Sequence, residues 1–108
     1  MIRLDHKQEL ALWLTATYGD AVMPEFRFHP TRKWRFDFAL PERKVAIEFD
    51  GLFGGTAHRS INMVAKDSEK INEAQLHGWI VIRTNTINLR DGSGYTAIER
   101  AVAAREAA

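Results

Sequence analysis

The spacing of apolar side chains predicts a helix near each end of the chain and another in its second half. Residues 5–18 carry an apolar stripe at helical spacing, and Asp5 with Gln8 has the spacing of a capping box. A polar helix is predicted over residues 61–77, where a following glycine ends it. A closing amphipathic helix is marked by apolar positions from Tyr95 onward.

Strands are predicted after the first helix and again before the last. Apolar and polar residues alternate over residues 24–30, 33–40 and 43–50, as in half-buried strands. The apolar run within Trp79–Arg83 is continuous, which is typical of a buried strand. The order is therefore αβββαβα, and the helix between the third and fourth strands predicts that these two strands are parallel neighbours. We expect an α/β fold.

Length and composition narrow the class of protein. The 108 residues, 45% of them apolar, suit a single domain over residues 1–108. Cysteine is absent, which excludes disulfides, zinc–thiolate sites and thiol nucleophiles. Without a signal peptide or a long apolar run, the protein is expected in the cytoplasm and outside the membrane. The net charge of +1 is low for an electrostatic DNA binder, unless acids gather at a metal site and bases lie elsewhere.

Two carboxylates interrupt the most strand-like segment of the chain. If the second and third strands form a hairpin, alternation puts Asp37 and Glu48 on one face, far from the turn. Phe36 and Phe38 are then expected to face the core together. Neighbouring carboxylates repel unless a proton or a cation lies between them, and a hard ion such as Mg²⁺ suits oxygen ligands. The alternative is a pair of solvated acids that a lysine or arginine on the next strand neutralises.

Short motifs along the chain fall in a familiar order, each on its expected element. They are RFDF (35–38), IEFDG (47–51), a loop histidine (58), DSEK (67–70) and GWIVIR (78–83). The sequence thereby resembles the PD-(D/E)XK nuclease superfamily, especially its small phage and bacterial very-short-patch-repair-like endonuclease domains. The resemblance implies a restriction-endonuclease-like αβββαβ core with a mixed sheet, flanking helices and a closing C-terminal helix. It also implies a Mg²⁺-dependent DNA endonuclease in which Mn²⁺ can substitute.

The resemblance assigns roles to individual residues. It implies that Asp37, Glu48 and the backbone carbonyl of Phe49 hold the metal, with Glu9 on the first helix as a further ligand. His58, in the glycine-rich loop, is expected to contact the scissile phosphate or donate a proton to the leaving oxygen. The alternatives are a solvated helix acid at Glu9 and a surface histidine at position 58.

The lysine that is usual in the superfamily is missing. Its place, two residues after the glutamate, is taken by Asp50. Either Asp50 acts in the site as a further acid, or Lys66 or Lys70, one turn apart on the following helix, brings the positive charge. We place Asp50 and Lys70 in the catalytic set. The departure also leaves an alternative function, a catalytically silent nucleic-acid-binding module that keeps the nuclease fold.

Basic and aromatic residues alternate over residues 26–35, which we name the basic arm. Its bases are candidates to hold phosphates, and its aromatic rings are candidates to stack on unpaired nucleotides. The alternative is a solvated strand face with its aromatic rings in the core. The small size favours cleavage of branched or flapped DNA, and a homodimer would match the symmetry of a four-way junction. The residues predicted to bind DNA are Arg27, Arg32, Lys33, Arg35, Arg59 and Lys66.

Overall fold

The computed structural model describes residues 3–51 and 61–107 and has the α/β architecture that the sequence predicts. In chain order the elements are α1 (His6–Tyr18), a 3₁₀ turn (Gly19–Ala21), β1 (Met23–Arg27), β2 (Arg35–Leu40), β3 (Val45–Asp50), α2 (Ile61–Leu76), β4 (Ile80–Asn85), α3 (Thr86–Arg90) and α4 (Ser93–Glu106). Within the described ranges, no helix is long and apolar enough to cross a membrane.

The strands form one mixed sheet in the order β1-β2-β3-β4. β1 pairs with β2, and β2 with β3, in antiparallel fashion, whereas β3 and β4 are parallel. The predicted parallel pair is confirmed, and the connection between its strands contains α2 because parallel strands need a long crossover. The register places Glu48 beside Arg83 and Asp50 beside Asn85, so both acids of β3 lie where the two strands end together.

Apolar side chains pack on both faces of the sheet. The cluster on one face joins the sheet to α1, α3 and α4, and the cluster on the other face joins it to α2. The first contains Leu10, Leu14, Phe38, Leu40, Val45, Ile47, Leu89, Ile98, Ala101 and Val102. The second contains Phe36, Ala39, Ala46, Ala74 and Trp79. Because both faces are covered, the central strands β2 and β3 are buried along most of their length.

Phe36 and Phe38 lie in different clusters, so the prediction that they face the core together is wrong. Phe38 packs with α1, and Phe36 packs with α2. The pairing of β1 with β2 includes the positions on either side of Asp37 but not Asp37 itself. Across from it, Glu25 has a φ of 49°, a left-handed conformation that a regular strand does not adopt. The ladder is thus irregular at Asp37, and this is the position where the alternation of side chains along β2 is shifted.

Helix ends follow the capping signals in the sequence. The side chain of Asp5 accepts a hydrogen bond from the backbone N–H of Gln8, and the side chain of Gln8 accepts one from the N–H of Asp5. This reciprocal pair confirms the predicted capping box. After α2, Gly78 adopts a φ of 87°, which a residue with a β-carbon rarely tolerates.

The two edge strands differ from their predicted limits. β1 ends at Arg27 instead of continuing to residue 30, because the chain turns at His29, whose ring accepts the backbone N–H of Arg32. β4 extends to Asn85, and its apolar residues are only partly buried, since an edge strand has a neighbour on one side only.

The sequence pattern does not predict α3. This five-residue helix begins directly after β4, and Asn85 and Asn88 cap it reciprocally through their side chains and backbone N–H groups. α4 begins at Ser93, two residues before Tyr95, the first apolar position that marks the predicted closing helix. A helix of one turn is too short to show an apolar period, so the capping spacing of the two asparagines is its main sequence signal.

Candidate functional site

The two acids lie at the open end of the β2–β3 hairpin, which is the end distant from the turn. Regular pairing of the two strands reaches Phe38 and Ile47. Beyond that pair, the backbone N–H of Asp37 donates to Oε2 of Glu48 at 2.9 Å, and the N–H of Phe49 donates to Oδ2 of Asp37 at 2.8 Å. The carboxylates therefore take the place of backbone carbonyls as acceptors, and this fixes the two side chains beside each other.

Lys70 reaches Glu48 from α2. Its Nζ donates to Oε1 of Glu48, and the side chains of the lysine and the acid are only 15% and 10% exposed. Burial raises the pKa of Glu48, although the hydrogen bonds from Lys70 and from the N–H of Asp37 act in the opposite direction. A buried carboxylate whose pKa remains raised is one that still favours another proton or cation.

These residues line a cleft of about 180 Å³, which we name the carboxylate cleft. Its lining consists of Asp37, Glu48, Phe49, Asp50, Asp67, Lys70 and Arg83. Four carboxylates thus face two cationic side chains. Acidic side chains thus outnumber cationic ones in the lining, and their oxygen atoms match the ligand preference of a divalent ion such as Mg²⁺.

Asp67 and Arg83 form one wall of the cleft. Nη2 of Arg83 lies 2.7 Å from Oδ2 of Asp67 and so joins β4 to α2. Burial lowers the pKa of Arg83, but the hydrogen bond and the charge of Asp67 outweigh this effect, and the pKa is raised. Below Glu48, the buried hydroxyl of Thr84 donates to the backbone carbonyl of Glu48 at 2.8 Å. β4 thereby holds the floor of the site in place.

Lys7 contacts the site, and the sequence analysis does not identify it. Its Nζ lies 3.4 Å from Oδ1 of Asp37, so α1 also reaches the site. The signal was the position of Lys7 in the stripe that continues through Leu10 and Leu14, the buried residues of α1. A charged residue that extends the apolar stripe of a helix faces the sheet and is a candidate partner for a strand acid.

Other predicted site residues lie elsewhere. Glu9 is paired with His6 at 3.6 Å, is half exposed and is not among the residues that line the carboxylate cleft. Lys66 is exposed on α2 and also lies outside this lining. His58 and Arg59 lie outside the described residues.

The bases of the basic arm are exposed. Arg27 and Arg35 are paired across β1 and β2, which puts two positive charges side by side. Arg32 lies 2.8 Å from Oε1 of Glu69 on α2, and its guanidinium covers the ring of Trp34 at 4.0 Å. The arm is thereby tied to α2, while its remaining bases face solvent.

The aromatic rings of the arm pack against each other and the core. Phe28 stacks on Phe36 with 4.2 Å between ring centroids, and Phe26 lies 5.7 Å from Trp79. Both phenylalanines belong to the packing around the α2 cluster. This packing favours the alternative in which these two aromatic rings belong to the core.

Comparison with known proteins relates the fold to one solved structure. No family model and no curated protein matches the sequence. Among solved structures, the chain is similar to the "Homing Endonuclease I-Bth0305I Catalytic Domain", with a TM-score of 0.70 and 19% identity. The match covers 95% of this chain and 98% of that one. The protein therefore has the fold of a homing endonuclease catalytic domain over nearly its whole length.

Proposed function

We propose that the protein is a Mg²⁺-dependent DNA endonuclease that hydrolyses phosphodiester bonds. The observation that carries the proposal is the convergence of Asp37, Glu48 and Lys70 in one cleft, at the open end of the β2–β3 hairpin. The similarity in fold to an endonuclease catalytic domain supports the same reaction class. The motif resemblance to PD-(D/E)XK nucleases supports the assignment of roles.

The carboxylate cleft fits a hard divalent ion. Its donors are oxygen atoms, its acids outnumber its cations, and the raised pKa of Glu48 indicates a buried carboxylate that favours a further positive charge. Asp37, Glu48 and the backbone carbonyl of Phe49 would hold the ion. When bound, Mg²⁺ would polarise the phosphate and make a water molecule more acidic.

Lys70 replaces the lysine that is missing from β3. It approaches Glu48 from the helix, whereas Asp50 occupies the usual lysine position at the end of β3 and lines the cleft. A buried ammonium group at this place stabilises negative charge that develops on a phosphate during hydrolysis. Arg83, held by Asp67, adds a second fixed positive charge at the wall of the cleft.

We further propose that the substrate is branched or flapped DNA held by the exposed bases of the basic arm. The side-by-side arginines Arg27 and Arg35 support phosphate contact, as does the exposed Lys33. A homodimer would present two such clefts to a four-way junction. Base stacking has less support, because the rings of Phe26 and Phe28 pack inward.

The test is cleavage of labelled junction, flap and plain duplex DNA of one sequence, with Mg²⁺, with Mn²⁺ and with EDTA. We expect cleavage with either ion, faster on the branched substrates, and none with EDTA. Binding should weaken steeply with salt, because contacts to phosphates release counterions. Equal rates on all substrates would contradict the proposed structure selectivity but not the endonuclease activity. Activity in EDTA would contradict the metal requirement.

A catalytically silent nucleic-acid-binding module is the second candidate. The observation in its favour is that each carboxylate oxygen of Asp37 and Glu48 already has a protein partner, from Lys7, Phe49, Lys70 or the backbone of Asp37. This module would bind DNA with the same salt dependence but cut none of the substrates with any divalent ion. Binding and cleavage measured on one preparation therefore separate the two functions.

A further inference from the structure

A second group of potential metal ligands lies outside the carboxylate cleft. It consists of His29, Glu73 and His77, which we name the imidazole cluster. Glu73 and His77 are one turn apart at the end of α2, and His29 comes from the basic arm. One ligand atom from each side chain lies within 4.8 Å of the others. The cluster therefore joins two segments that are distant in sequence.

The two distances from the imidazoles to Glu73 suit a shared ion better than direct hydrogen bonds. Nε2 of His29 and Nε2 of His77 each lie 3.5 Å from Oε2 of Glu73. This separation exceeds the usual range for a hydrogen bond between nitrogen and oxygen. Metal–ligand bonds of about 2.0 to 2.2 Å in a tetrahedral zinc site put neighbouring ligand atoms about 3.4 Å apart. The spacing around Glu73 is thus close to the edge of a zinc tetrahedron.

We propose that the imidazole cluster binds a zinc-like divalent transition ion, with His29, Glu73 and His77 as ligands and water in the fourth position. Two imidazoles and one carboxylate form a donor set that zinc uses in proteins, whereas Mg²⁺ prefers oxygen ligands alone. The ion would fasten the basic arm to α2, next to the existing contact of Arg32 with Glu69. This ion would be separate from the one proposed for the carboxylate cleft.

The ring of His29 must change its tautomer when the ion binds. Its Nδ1 accepts hydrogen bonds from the backbone N–H groups of Arg32 at 3.0 Å and of Thr31 at 3.2 Å. Because Nδ1 is an acceptor, the proton of the neutral ring is on Nε2. Coordination through Nε2 moves this proton to Nδ1, with no net release. Oγ1 of Thr31, 3.4 Å from Nδ1, is then the nearby acceptor. Ion binding therefore breaks two backbone hydrogen bonds and forms one to a hydroxyl.

Zinc titration of the folded protein in excess Mg²⁺ tests the site. We expect one Zn²⁺ per chain, and His77→Ala should weaken its binding at least about 100-fold, since even outer-shell changes cost 10- to 100-fold. His77 is exposed at the end of α2, so its truncation leaves the core intact. His6→Ala is the matched control. His6 is also paired with a helix glutamate, but among the described residues no third potential ligand completes a metal-binding group with it. This variant should bind Zn²⁺ as the parent does.

Two further measurements distinguish this site from the cleft and from a chance contact. The double variant Asp37→Asn/Glu48→Gln should keep parent affinity for Zn²⁺, and hydrogen exchange at the amides of Thr31 and Arg32 should speed up when Zn²⁺ binds. Parent-like zinc affinity in His77→Ala would overturn the proposal. So would loss of zinc binding in the cleft double variant, or unchanged exchange at the two amides.

Discussion

The two ends of the β2–β3 hairpin differ in backbone pairing and in side-chain chemistry. At the turn end, Leu40 and Val45 are paired in a regular ladder, fully buried and apolar. At the open end, the carboxylates of Asp37 and Glu48 accept the backbone hydrogen bonds, and Lys70 supplies a counter-charge. The turn end gains stability from burial, while the open end holds a buried acid that is costly without a cation.

This difference separates stability from chemistry within a single hairpin. Ile47 and Glu48 are adjacent in sequence, yet Ile47 packs with α1 and Glu48 faces α2. Substitutions at the turn end should therefore lower the free energy of unfolding without changing the chemistry. Substitutions at the open end should change the chemistry without lowering the free energy of unfolding.

The largest effect is expected from neutral replacements of the two acids. Asp37→Asn and Glu48→Gln each keep an oxygen that can accept a backbone hydrogen bond but remove one negative charge from the cleft. We expect each to abolish cleavage and to weaken Mn²⁺ binding. Without metal, the circular dichroism spectrum should be unchanged and the melting temperature should not fall. Gel-based cleavage and calorimetric Mn²⁺ titration measure the two outcomes.

The matched control for these variants is Asp20→Asn, which neutralises an exposed acid in the 3₁₀ turn. It should cut and bind Mn²⁺ as the parent does. Full activity in either cleft variant would show that the open end of the hairpin has no catalytic role.

Removal of the helix lysine is expected to have the next largest effect. Lys70→Ala should lower single-turnover cleavage by roughly ten- to a thousand-fold, the scale of a positioned electrostatic or acid–base group. Lys66→Ala is the control one turn away, exposed and outside the cleft lining, and its smaller effect should be on DNA binding. Single-turnover rates at saturating enzyme separate the two effects.

The same assay tests Asp50 as the alternative to Lys70. If both lysine variants cut at the parent rate while Asp50→Ala is inactive, the β3 acid is the working group and the lysine has no catalytic role.

A core truncation tests the turn end. Leu40 is almost fully buried in the cluster that joins the sheet to α1, α3 and α4, so Leu40→Ala should reduce the free energy of unfolding by about 2 to 5 kcal/mol. Denaturant unfolding measures the loss. The cleavage rate per folded molecule should stay at the parent value when measured well below the melting temperature. A large fall in that rate would mean that the two ends of the hairpin are not independent.

The smallest effect is expected in the pH dependence of stability without metal. Because burial raises the pKa of Glu48 in the folded state, the folded protein retains this proton at pH values where the unfolded chain has lost it. The contribution of Glu48 to stability is thus present below the ordinary pKa of 4.5 and is lost as pH rises through the raised value. Glu48→Gln should therefore gain stability relative to the parent as pH increases through this window.

Denaturant titrations of the two proteins at several pH values, in EDTA, measure this difference. A constant difference across the window would contradict the raised pKa. Added Mg²⁺ should reduce the difference if the ion lies near Glu48.

Much of the fold follows from local sequence signals. The capping box of Asp5 and Gln8, the alternating strands and the crossover helix all correctly predict their elements. The phase of alternation at Phe36 is not predictable in this way, because the β1–β2 ladder is irregular at Asp37, across from the left-handed Glu25, and no local sequence signal marks that irregularity. α3 is missed because one turn of helix is too short to show a period.

The candidate site is only partly accessible to the same reasoning. Alternation and the hairpin suffice to place Asp37 beside Glu48, and the spacing on α2 identifies Lys70 as one of two candidate lysines. Lys66 and Lys70 share one side of α2, so the choice between them depends on which turn of the helix lies over the cleft, and this position follows from the packing of Ala74 with Phe36 and Trp79. The roles of these residues stay predictions, because a fold similarity at 19% identity carries no residue assignments.

The contact of Lys7 with Asp37 couples the first helix to whatever binds in the cleft. Lys7 donates a hydrogen bond to Oδ1 of Asp37, so a cation that coordinates this oxygen competes with the lysine for it. Thermodynamic linkage then requires reciprocity: the factor by which Lys7 reduces ion affinity equals the factor by which the ion weakens the lysine contact. Ion binding in the cleft therefore weakens a contact that holds α1 to the sheet, although α1 lies on the opposite face of the sheet from α2.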